Sequence, residues 1–86
     1  MKFKIEHALE PRIGAVLAQQ LDGDDFTLVD GATLGGISIK PELDMPRALD
    51  GDGNPRMDLF AFRPCDKNDV RRFVVGEIVE LVIPNT

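Results

Sequence analysis

The sequence predicts an all-β protein, a barrel or sandwich of short strands. Three observations carry this reading. Eight glycines and six prolines in 86 residues cut the chain into short pieces. Asp-Gly pairs at 22–23, 30–31, 50–51 and 52–53, and Gly-Gly at 35–36, supply residues that tolerate the positive φ of tight hairpin turns. The pieces between them alternate or concentrate β-branched residues, as strands do.

The first segment, from Lys2, places Phe3, Ile5, His7 and Leu9 on one face and Lys2, Lys4 and Glu6 on the other, until Pro11 ends it. Residues 13–21 fit two templates. Ile13, Val16, Leu17 and Leu21 lie on one helix face, whereas Ile13, Ala15, Leu17 and Leu21 share one strand face, with Gln19 the exception. Gly14 weakens the helix, and Glu10 is a poor N-cap. The pattern leaves a closed barrel, or a β-sheet covered by one short helix at 12–21.

Phe26 to Val29 reads as a short strand between two Asp-Gly turns, and Leu34 to Ile39 as another. Lys40 to Arg56 contains Pro41, Pro46 and Pro55 with little periodicity, which predicts a long extended loop, the kind of segment that carries binding residues. Met57 to Phe62 has apolar residues on both strand faces. Phe73 to Ile83 is the strongest strand signal, and Pro84 stops it. The expected core is Phe3, Ile5, Leu17, Phe26, Leu28, Leu59, Phe73, Val79 and Leu81.

Residues 1–86 read as one domain with no linker. The two halves carry net charges of −3 and −2, for a total of −5. That balance excludes a generic basic DNA binder, and no apolar run approaches the ~20 residues of a membrane helix. A single Cys excludes an internal disulfide, and one His with one Cys excludes a His/Cys metal cage. With charges interrupting the N-terminal segment, the expected compartment is the cytoplasm.

The chemical motifs fail on inspection. Gly31 to Gly36 has the spacing of a phosphate loop, but Ile37 stands where the lysine belongs. Asp50, Asp52 and Asn54 resemble the start of a calcium loop, but Pro55 and Ala61 occupy the positions that need Gly and Glu. Ser38 and His7 with a carboxylate could form a nucleophilic site, and His7 and Cys65 with an Asp a small-ligand or enzyme site in the barrel mouth, only if the fold gathered them. No cofactor, metal or catalysis is expected. Between 47 and 72 lie Arg47, Arg56, Arg63, Arg71 and Arg72, interleaved with aspartates. They read as a mutually compensated surface or as a site for an anion or RNA backbone. Arg71 and Arg72, adjacent on an extended chain, would point to opposite faces, with one tied to a carboxylate.

Two patches resemble the second domain of elongation factors of the Tu type and small stand-alone barrels of that kind. In residues 3–23 the match lies at Phe3, Ile5, Glu6, Ala8, Arg12, Gly14, Val16, Leu17, Leu21 and Gly23. In residues 66–82 it lies at Asp69, Val70, Val75, Gly76, Glu77, Val79, Glu80 and Leu81. Pro11 and Ile13 replace the glycines that flank the family's arginine. The resemblance implies a closed six-stranded Greek-key barrel, with residues 13–21 as strand. In that family the barrel is an accessory module, so the resemblance carries no activity and no GTP chemistry; a non-enzymatic module with a protein partner is expected, with weak RNA binding through the arginines as the alternative.

Overall fold

The computed structural model describes residues 1–9, 14–45, 49 and 51–84. Six strands, β1 (Lys2–Leu9), β2 (Ala15–Gln20), β3 (Thr33–Leu34), β4 (Ile37–Asp44), β5 (Leu59–Pro64) and β6 (Ile78–Val82), close into a barrel in the order β1-β2-β5-β4-β3-β6. Every pairing is antiparallel. Strands β3, β4 and β5 follow one another, and β6 returns to lie beside β3, which is a Greek key. The helix alternative at 12–21 is therefore set aside: residues 15–20 are strand. The one helical element among the described residues is a 3-10 turn, Lys67–Arg72, N-capped by Asp66, whose carboxylate accepts from the Asn68 backbone N–H at 2.9 Å.

The Gly35-Gly36 pair does what the sequence predicts. Leu34 opposes Ile37 across a two-residue loop whose glycines have φ of 61° and 81°, the conformation of a type I′ hairpin turn. A side chain at position 35 would also press on Val79 at 3.1 Å.

The core is lined by Phe3, Ile5, Val16, Ala18, Leu28, Leu34, Ile37, Ile39, Phe62, Val79 and Leu81, joined by Val70 and Phe73 from the 3-10 turn and its exit. Phe3 sits edge-on to Phe26, Phe60 and Phe62, with ring centroids 5.1–6.1 Å apart. Of the nine expected core residues, seven are buried. Phe26 is half-buried but packs into the aromatic cluster, and Leu17 does not belong to the core.

Several element boundaries and faces differ from the sequence expectation. Val16 and Ala18 face inward, so β2 is phased one residue away from the predicted face, leaving Leu17 half-buried and Leu21 exposed. In β1 the register slips between Ile5 and His7, which oppose adjacent residues of β2, Ala18 and Leu17. This bulge reverses the alternation: His7 turns out and Ala8 packs against the core. Residues 26–29 form no strand, yet Leu28 is buried. The expected loop from Lys40 begins as strand, because β4 runs to Asp44, with Pro41 inside the irregular stretch of its ladder to β5. The final strand starts at Ile78 rather than Phe73.

Candidate binding surface

A polar cluster lies across the outer face of β1 and β2. The bulge after Ile5 presents Glu6, and Gln19 stands on the outward phase of β2. Arg56 and Asp58 come from the segment that enters β5. The Arg56 guanidinium donates to both oxygens of Glu6, Nη1 at 2.9 Å and Nη2 at 2.7 Å. Its Nε donates to Asp58 Oδ1 at 3.2 Å, and Gln19 Nε2 donates to Asp58 Oδ2 at 2.8 Å. The bidentate hydrogen bonds from Arg56 hold the Glu6 carboxyl below its ordinary range, against the opposing effect of partial burial. Asp58 is lowered by the same guanidinium and by Gln19, and Arg56 is raised in return. The cluster ties two barrel strands to the chain entering a third.

Beside it an open groove crosses β1. Lys4 and Glu6 line it from β1, with Gln19 and Arg56 toward β2 and Val75 and Gly76 toward β6. The Val75 wall is a tight turn. Glu77 N–H donates to Val74 O at 3.0 Å, and Gly76, with φ of 92°, occupies the third turn position, where positive φ is required. Gly76 N–H donates to Ile5 O at 2.7 Å and Ile5 N–H donates to Glu77 O at 2.9 Å, which clamps the turn to β1. Those bonds leave Val74, Val75 and Ile78 outside the barrel, 60%, 61% and 58% exposed.

The predicted arginines are not brought together. Arg47 lies outside the described residues. Arg56 is engaged by Glu6 and Asp58. Arg63, on β5, faces carboxylates of β4: Asp44 at 3.4 Å and Glu42 at 4.0 Å. Arg71 and Arg72 sit in the 3-10 turn and are both exposed, so neither turns toward the core; a helical turn, unlike a strand, does not throw neighbours to opposite faces. Arg72 approaches Asp69 at 3.6 Å, and Arg71 makes no ion pair among the described residues. His7 and Cys65 are both exposed, and β2 separates the strand of His7 from β5, which Cys65 follows. Ser38 meets Cys65 only through the backbone, accepting from its N–H at 3.0 Å. Among the described residues no group of three metal-ligating side chains is formed, and no helix is long and apolar enough to cross a membrane. Asp50, the first residue of the calcium-like run, lies outside the described residues.

The exposed wall is what the strand reading of Phe73 to Ile83 concealed. Its signal was present in Gly76-Glu77 after two valines: a turn inside an apolar run expels some of that run into solvent. No family model, curated protein or solved structure matches the chain.

Proposed function

We propose that this chain is a non-enzymatic accessory module, a cytoplasmic barrel of the translation-factor type that docks on a protein partner through the Val74–Ile78 wall. The observation that carries the reading is that wall: three large β-branched side chains, each more than half exposed, beside an open groove. Together they offer apolar surface on the order of 300 Å², at the lower end of the largest patches on typical monomers, which are often functional. The six-stranded barrel is of the kind the resemblance to Tu-type second domains implies, and such domains work by contact rather than by chemistry of their own.

A second reading, a weak site for an anion or RNA backbone, rests on Arg71 and Arg72, which stand exposed on one turn. It has less support: Arg56 and Arg63 are engaged by carboxylates, and the net charge of −5 opposes a polyanion. Photo-crosslinking separates the two. A photoreactive residue at position 75 or 78 should join the chain to a protein in the cells that express it, and Val74→Asp should abolish the product. Crosslinks to RNA from position 71, with none to protein from 75 or 78, would reverse the choice.

A further inference from the structure

The two walls of the groove hold unlike groups, and of the charged residues that line it only Lys4 is uncommitted. Glu6 and Asp58 both close on Arg56. Lys4, exposed on the outer face of β1, enters none of the ion pairs among the described residues. It stands directly opposite Ile78 on β6 and shares the groove with Val75. The groove thus presents one free ammonium beside an apolar wall.

Resting on the reading of the chain as a binding module, we infer that this groove takes an extended peptide segment that sets a carboxylate on Lys4 and a large apolar side chain against Val75 and Ile78. Charge complementarity selects the acidic group. A basic residue would meet Lys4, and of the residues that line the groove the one carboxylate, Glu6, is already bound by Arg56; Glu77, on the turn and in no ion pair among the described residues, is not among the lining residues. Area argues for a short segment. About 300 Å² falls well below the ~800 Å² per partner of a standard interface, so a second copy packed on this wall lacks the surface for a stable dimer. A two-fold contact would also place Lys4 against the same region of its mate, like charge near like charge. The apolar anchor comes from the partner: the chain contains no Trp and no Tyr, the residues that most often dominate contact energies, whereas its valine wall can receive one.

Selection of an unbiased library of displayed dodecapeptides against the intact chain tests this, with the folded Val75→Asp variant as counter-selection. Peptides with Asp or Glu within about three residues of a Phe, Trp or Leu should be enriched. Their binding should shift the backbone resonances of Lys4, Val75, Gly76 and Ile78. Lys4→Glu should weaken them about tenfold and favour peptides with Lys or Arg in place of the acid. Enrichment of basic peptides, or acidic peptides indifferent to Lys4→Glu, overturns the inference while leaving a docking wall in place. Failure to enrich any peptide whose binding depends on Val75 overturns both the inference and the docking reading.

Discussion

The two walls of the β1 groove show opposite solutions to the same problem of a crowded barrel surface. On the Arg56 side the cluster answers its own charges within the chain, and of the described residues there only Lys4, on β1 beside it, is left free: one guanidinium spans two carboxylates, and Gln19 supports the second. On the Val75 side the backbone is answered and the side chains are not; the turn bonds itself to β1 and leaves three apolar groups in water. The first wall contributes to stability and has little left for a ligand. The second contributes little to stability and keeps its surface available. Charged residues therefore build the structural wall here, and the proposed docking surface is built from residues that read as part of the strongest strand.

The largest effect expected lies beneath both walls. Phe62 is fully buried and packs edge-on against Phe3 at 5.1 Å. Phe62→Ala should cost about 3–5 kcal/mol, a large share of the roughly 5–10 kcal/mol available to a domain of this size. Leu17→Ala should cost distinctly less, about 1 kcal/mol, because Leu17 points away from the core cluster. Equal losses in urea unfolding would show that the inward phase of β2 has been misassigned.

That pair of residues also shows where the sequence was legible. Turn chemistry was plain: the Gly35-Gly36 hairpin follows from residue type alone. The first half of β1 was readable because Phe3 and Ile5 alternate with lysines. The alternation then breaks at a bulge, which no residue at 5–7 announces, and a single extra residue reverses all that follows. In β2 both phases are apolar, Ala15 and Leu17 against Val16 and Ala18, so hydrophobicity could not choose between them. β4 was hidden by Pro41, which survives where the ladder is already irregular. In the site, Arg56 stood out as a candidate binding residue, whereas its partner Glu6 is fifty positions away. Only the closed barrel brings them together.

The next effect tests the Arg56 wall. Arg56→Met removes the cation and leaves Glu6 and Asp58, both partly shielded from solvent, without their countercharge, Asp58 keeping only its bond from Gln19. A loss of about 1–3 kcal/mol at pH 7 is expected, discounted for the exposure of Asp58. Its pH dependence has a definite sign. Both carboxyls are lowered in the fold, so their contribution is present above the unfolded carboxyl range and is lost as pH falls through their folded values. The gap between wild type and Arg56→Met should be full from pH 7 to about 5 and should shrink below about pH 4. A gap that persists undiminished at pH 2–3 would show that the side chain acts through packing rather than charge.

A smaller effect reshapes the other wall. Gly76 adopts φ of 92°, and a side chain there would meet open space, so the cost of Gly76→Ala is purely conformational. About 1 kcal/mol is expected in thermal unfolding. The turn holds Val75 in place, so this variant should also weaken any ligand of the groove. An unchanged melting temperature would mean that the turn relaxes to another geometry without harm.

The smallest expected effect on stability decides the most about function. Val75→Asp replaces an exposed apolar group with a charge at a position 61% open to solvent, so the lost burial is minor. Surface changes of this kind usually stay within about 0.5 kcal/mol. Glu77 lies two residues on and adds some like-charge repulsion, whereas Lys4 across the groove offsets it. Equilibrium unfolding of Val75→Asp should therefore overlay that of the wild type, while partner crosslinking from position 78 disappears. The two measurements must diverge if the wall exists for contact. Should Val75→Asp instead unfold at markedly lower denaturant, the valines would be part of the structural shell after all. The contrast between the two sides of the groove would then collapse into a single, internally satisfied surface.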